Sequence, residues 1–252
     1  MQHSFAPFRF ASALCALGLC LTTAAHARSI PGQRVQVSAP CLSTLHVVTD
    51  SALSDAVAVP GTWPAGLQGT TAADGTITLS HAGCPHGQSL ELHTPSSMPL
   101  AIDSPQATHI VIDDRSGPMS IQAGSGGLDA GSTGAIDLAT DASGPIHIGR
   151  LAGSARLRST TSAPITIDQI DAPALAVYLA GTASLNAPSG TLKALDINNT
   201  GKGHASFGGT TGVAALHVQG DGGISVHKAT GTLATERDGK GRIEVNLPQT
   251  TP

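Results

Sequence analysis

The second half of the chain repeats a three-residue unit, apolar–polar–apolar, at nearly constant spacing. The units are Met119-Ser-Ile121, Leu128-Asp-Ala130, Ile136-Asp-Leu138, Ile146-His-Ile148, Ala155-Arg-Leu157, Ile165-Thr-Ile167 and Leu175-Ala-Val177. They continue as Ala183-Ser-Leu185, Leu195-Asp-Ile197, Ala205-Ser-Phe207, Leu216-His-Val218, Ile224-Ser-Val226, Leu233-Ala-Thr235 and Ile243-Glu-Val245. Successive units start roughly 8–12 residues apart. Alternation with a period of two is the signature of a strand with one buried face. Gly, Ser, Thr, Asn, Asp and Pro fill the gaps and turn the chain. Helical spacing is nearly absent, and residues 52–58 hold the one candidate helical turn.

Two all-β folds use many short strands at this spacing. An antiparallel barrel or sandwich joins neighbours by tight hairpins, for which Asp-Gly is a strong signal, here at Asp74-Gly75, Asp221-Gly222 and Asp238-Gly239. A parallel β-helix instead coils each strand over its counterpart one turn earlier. Two strands per coil give a rung of about 19 residues, and self-similarity at fixed period favours this solenoid. Before Met119 the strand patches lose strict spacing. Residues 28–116 therefore read as a cap with irregular first coils, 117–247 as regular coils of the same domain, and 248–252 as a short tail.

Composition sharpens the choice. Phe5, Phe8 and Phe10 precede residue 28, which leaves Trp63, Tyr178 and Phe207 as the aromatic residues of the remaining chain. A core of Ile, Leu, Val and Ala suits a narrow, layered interior better than a sandwich built on bulky rings. Residues 1–27 read as a secretory signal peptide: Arg9, an apolar run from Ala11 to Leu21, then Ala25-His-Ala27 as the cleavage site. The apolar run is too short to span a bilayer. Leu19 before Cys20 argues against lipidation. The expected location is the periplasm, the cell surface or the medium, with no transmembrane segment in the mature chain.

Cys41 and Cys84 then remain, and two cysteines in an exported chain read as one disulfide clamping the N-terminal cap. Closing that loop would stabilise by roughly 4 kcal/mol. A rival reading, metal binding through His81, Cys84 and His86, lacks a recognisable metal spacing. Without Arg9, 12 basic residues stand against 17 acidic ones. This mild negative balance argues against nucleic acid or an anionic membrane as a partner.

The later strands with their Gly/Ser turns, together with Leu45-His-Val-Val48, Ser89-Leu-Glu-Leu-His93, Ala107-Thr-His-Ile-Val-Ile112 and Ala123-Gly-Ser-Gly-Gly127, resemble the GIN-type domain, an autotransporter adhesin-head family of exported bacterial proteins. The resemblance runs from about Leu45 to Val245. It implies a right-handed parallel β-helix at or outside the cell envelope, and it carries no catalytic residues over.

In such a coil the middle residue of each unit faces outward and stacks into a ladder. One ladder reads Ser120, Asp137, Arg156, Ala176, Asp196, His217, Ala234, and the other Asp129, His147, Thr166, Ser184, Ser206, Ser225, Glu244. Asp137, Arg156, Asp196 and His217 are the candidate binding residues. Asp113-Asp114-Arg115 reads as a turn, with a calcium site as its alternative, and Glu236–Arg242 reads as an exposed charged turn. The sequence offers no hydrolase elbow, phosphate loop, Cys-x-x-Cys or His-Glu-x-x-His. It calls for no cofactor. The expectation is a non-catalytic envelope protein for adhesion, scaffolding or interaction with an envelope glycan or another surface protein. The alternative is a polysaccharide-binding module or a carbohydrate-active enzyme.

Overall fold

The structure, a computed structural model, describes residues 28–38, 42–61, 63–81, 83, 87–104 and 106–246. The expected signal peptide, Cys41, Cys84, His86 and the tail lie outside the described residues, so the disulfide does too. Twenty-one strands and no helix make up the described chain.

The strands stack in parallel. Met119–Ala123 pairs with Leu100–Ser104 on one side and Ile136–Thr140 on the other. Ile136 faces Ala155, Ala155 faces Leu175 and Leu175 faces Leu195. These steps of 17 to 20 residues each complete one coil. A second stack runs through Ile110, Leu128, Ile146, Ile165, Leu185, Ala205, Ile224 and Ile243. A third, shorter set of pairs joins Ser132 to Arg150, Arg150 to Gln169 and Thr191 to Thr210. The chain is thus a parallel β-solenoid, and the period-two pattern has its expected meaning. Ile136–Thr140 and Ala155–Ser159 bury their first, third and fifth residues and expose their second.

Stacking order departs from chain order at the N-terminal end. Arg34–Ser38 lies between Thr76–His81 and Leu100–Ser104. Thr44–Thr49 lies between Ser89–Thr94 and His109–Ile112. The first coil in sequence is therefore the second in space. The chain leaves the stack after Thr49, builds the outermost coil from 76–94, and returns across the first coil to continue at Leu100. Antiparallel pairing among the described residues is confined to this end: Arg28–Pro31 with Ala56–Val59, Ala58 with His93, and Leu67–Thr71 with Thr76–His81.

This arrangement corrects two expectations. Residues 52–58 form no helical turn. Ala56–Val59 is a strand instead, because Val57 and Val59 are β-branched and their backbone pairs with Arg28–Pro31. Of the three Asp-Gly pairs, Asp74-Gly75 sits in a hairpin connection. Gly75 takes φ +76 and Asp74 Oδ1 accepts the Thr76 N–H at 3.0 Å. Asp221-Gly222 and Asp238-Gly239 lie in stacked turns between parallel strands.

Those turns form a column. The Gly181 carbonyl accepts the Lys202 N–H at 2.6 Å, Gly201 accepts Gly222 N–H at 3.0 Å, and Gly220 accepts Gly241 N–H at 3.1 Å. Asn199, fully buried, braces one of them: its Nδ2 donates to the Gly203 carbonyl at 2.9 Å and its Oδ1 accepts the Gly201 N–H at 3.1 Å.

The interior is a continuous aliphatic column with Phe207 as its largest fully buried side chain. Arg115 is its charged exception. It is 4% exposed, donates to Thr94 Oγ1 at 2.9 Å and to the Met98 carbonyl, and burial pushes its pKa down to about 10. It therefore stays cationic at neutral pH. Asp113-Asp114-Arg115 behaves as a turn. Asp113 accepts the Thr49 N–H, Asp114 accepts the Ser132 N–H, and Arg115 folds inward.

Candidate functional site

Outward side chains on the first stack form the ladder Gln36, Ala101, Ser120, Asp137, Arg156, Ala176, Asp196, Ala215, Ala234. Asp137 and Arg156 are rung neighbours, as the spacing predicts. No ion pair joins them among the described residues, and both are exposed. Asp196 is also exposed, but it stands between Ala176 and Ala215.

His217 does not belong to that ladder. It faces Asn198 on one side and Glu236 on the other. The strand His204–Val218 places Ala214-Ala215-Leu216 opposite Leu195-Asp196-Ile197, so the unit Leu216-His-Val218 lies two residues further along. Apolar residues at Ala214, Leu216 and Val218 fit the buried face in either register, and the sequence pattern alone does not distinguish them. The second ladder needs a like correction: Thr166 faces Asn186, whereas Ser184 faces Pro164.

Three hollows meet on the first face. One of about 550 Å³ is lined by Gln36, Pro99, Leu100, Ala101, Pro118, Met119 and Ser120, among others. The next shares Gln36, Ala101 and Ser120 and adds Asp103, Gln122 and Asp137. The third takes in Asp137, Arg156 and Ala176. Together they make a shallow groove that crosses the strands. Small side chains give it a floor, while amides, carboxylates and a guanidinium supply polar contacts. The strands hold each group in register, so the groove is preorganised. On the adjoining ladder the Arg158 guanidinium lies over the Tyr178 ring, 5.1 Å from its centroid.

The second stack carries a chain of histidines and carboxylates. Asp129 and His147 occupy adjacent rungs and meet at 2.8 Å through Nδ1, while His147 Nε2 meets Asp168 at 2.9 Å. His109 Nε2 lies 3.9 Å from Asp129. Towards the N-terminal end His93 lies between Glu91 at 2.8 Å and Asp50 at 3.3 Å, and His46 meets Asp113 at 3.1 Å. The ladder logic places Asp129 beside His147. Asp168 lies off the ladder position, and the sequence reading missed it, as it missed the His93 pairings.

A neutral imidazole has one N–H, so two flanking carboxylates favour the doubly protonated ring. The hydrogen bond to Asp168, then that to Asp129, raises the His147 pKa above its ordinary value. Glu91, then Asp50, does the same for His93. Asp50 is held below the ordinary carboxylate range, chiefly by the Ala52 N–H and then by His93.

A raised folded-state pKa stabilises the fold fully below the unfolded value, near 6.5. That stabilisation fades as pH rises through the folded value. In a histidine NMR titration the His147 ring is expected to titrate above 6.5, the ordinary value. Asp168→Asn is expected to bring it back down, and an unmoved titration would contradict the doubly bonded geometry.

No known family's sequence profile matches the chain, and no curated protein matches it in sequence. Solved structures do share its fold. A candidate adhesin from Bacteroides fragilis superposes with TM-score 0.58 at 14% identity, covering 88% of this chain and 96% of that one. A candidate lipid-binding protein from Parabacteroides distasonis gives TM-score 0.60 at 11% identity, with the same 88% and 96% coverage. A candidate adhesin from Parabacteroides merdae gives TM-score 0.59 at 13% identity, again with 88% and 96% covered. At these identities the likeness is one of fold. It agrees with the parallel β-helix that the strand and turn motifs imply. No helix among the described residues is long and apolar enough to cross a membrane.

Proposed function

We propose that this is an exported, non-catalytic β-solenoid of the cell envelope that binds surface molecules, serving adhesion, scaffolding or interaction. One observation carries the reading. The groove running over Gln36, Asp103, Ser120, Gln122, Asp137 and Arg156 spans several rungs of a rigid sheet, and its polar groups are spread along it. Such a face suits an extended polar ligand or the surface of another protein. Catalysis instead needs acid, base and electrophile converging on one atom. The fold shared with candidate adhesins supports the same direction.

The pairing in register of Asp137 with Arg156 favours a second reading, a glycan-binding module or carbohydrate-active enzyme using this groove. A screen of envelope oligosaccharides by thermal shift and calorimetry, with product analysis, separates the two readings. Saturable binding without turnover, weakened about tenfold or more by Asp137→Asn or Arg156→Ala, is the expected result for the groove. Cleavage of a polysaccharide that is lost in Asp137→Asn would establish the enzyme and overturn the non-catalytic reading. Cell fractionation of the full-length protein tests export.

A further inference from the structure

The corrected register creates a second cluster away from the groove's centre. His217 lies at the outward position of one rung and Glu236 directly opposite it on the last rung, Leu233–Arg237. Asp238 follows Glu236 by two residues, the spacing that returns an extended chain to the same face, whereas Arg237 faces the other way, opposite Val218. His217 Nε2 lies 3.0 Å from an Asp238 oxygen and 3.8 Å from a Glu236 oxygen. One donor atom from each of the three residues falls within 4.8 Å of the others. The Asp238 contact is a hydrogen bond. The Glu236 contact is too long to be one, so hydrogen bonding to His217 does not explain its place. On the next rung inward, the Asn198 Oδ1 atom is buried without a hydrogen-bond partner, and its residue stands opposite His217.

We propose that His217, Glu236 and Asp238 form a binding site for one divalent transition-metal ion, with Zn2+ as the best chemical match. Donors about 2.0–2.2 Å from a tetrahedral zinc stand about 3.3 Å from one another. The two separations from His217, 3.0 and 3.8 Å, bracket that value, and the two carboxylate oxygens lie within 4.8 Å of each other, so rotation of the exposed Glu236 and Asp238 side chains is what closes the site. Imidazole nitrogen selects zinc, nickel and copper over the oxygen-seeking calcium and magnesium. Two carboxylates and one neutral imidazole leave a fourth position for water or an incoming ligand. Binding places the metal where the Nε2–Asp238 hydrogen-bond proton now lies. A neutral ring gives that proton up and takes one at Nδ1, with no net release, whereas a doubly protonated ring loses one proton to solvent. In both cases the ligand is the neutral imidazole. The ion would staple Leu233–Arg237 to the rung before it, a strand that among the described residues is paired on one side only.

The test is Zn2+ calorimetry on the purified, tag-free protein, with Co2+ absorption as an independent readout. The expected result is one ion per chain, visible d–d bands from Co2+, and an unfolding midpoint that rises with Zn2+. Glu236→Gln and Asp238→Asn change exposed side chains and should fold normally. Each is expected to weaken binding by about tenfold or more, and His217→Gln to abolish it together with the thermal shift. His147→Gln, on the other histidine cluster, is expected to leave binding unchanged. Binding that survives His217→Gln, that disappears in His147→Gln, or that fails to saturate overturns the site. None of these outcomes depends on whether the groove holds a glycan.

Discussion

Phe207→Ala is expected to destabilise the protein by about 3–5 kcal/mol, the usual cost of removing a buried aromatic ring. Phe207 is 1% exposed and is the largest fully buried side chain. Its rung neighbours are Ala187 and Val226, and its ring reaches the backbone at Gly209, so that a methyl group there would meet Cζ. The ring fills space that Ala187 and Gly209 leave empty. Alanine at 207 would leave that space void, because the rungs above and below are fixed by their backbone ladders. Urea unfolding followed by circular dichroism checks the result. Phe207→Leu should recover part of the loss, whereas an unchanged midpoint for Phe207→Ala would show that the coils collapse onto the gap.

Gly220→Ala is expected to cost about 3 kcal/mol, at the upper end of overpacking penalties. Gly220 sits in the column of stacked turns, and an added Cβ would run into the Gly201 carbonyl oxygen. That carbonyl is engaged by the Gly222 N–H at 3.0 Å, so it cannot turn aside without breaking a contact between coils. The obstruction is backbone, and the remedy would be to lift one coil off its neighbour. Gly149 provides the control. A Cβ there meets nothing nearer than 3.6 Å, and Gly149→Ala should be neutral or stabilising by up to about 1 kcal/mol. Thermal melts of the two variants against the parent decide the matter. Equal midpoints would mean that the turn column gives way easily.

The parallel stack was legible because burial imposes a period of two on every strand and coiling imposes a second, longer period. Asp137 and Arg156, and likewise Asp129 and His147, could be paired from that spacing alone. Spacing misleads where two registers bury equally apolar residues. At Leu216-His-Val218 the pattern fits both, and backbone pairing to Leu195–Asn199 chose the one that moves His217 away from Asp196 and beside Glu236. Asp168 and the His93 partners were hidden for a related reason. Asp168 lies two residues beyond the ladder residue Thr166 and Glu91 two residues before His93, so their contacts run along or diagonal to the strands and not from rung to rung. Asp50 follows the strand Thr44–Thr49, where alternation carries no information.

By itself, the sequence determined that the chain is all-β, that its aliphatic residues face one dry interior, and that successive strands repeat coil by coil. Local patterning suffices for these features, because each strand's buried face is written in its own residues. Only the tertiary structure decided that the first coil in sequence lies second in the stack. The same holds for the ladder each outward residue joins and for which carboxylates reach which histidines. Those outcomes depend on hydrogen-bond register between segments far apart in the chain, and a shift of two residues there leaves the apolar pattern intact while it rearranges every partner on the surface.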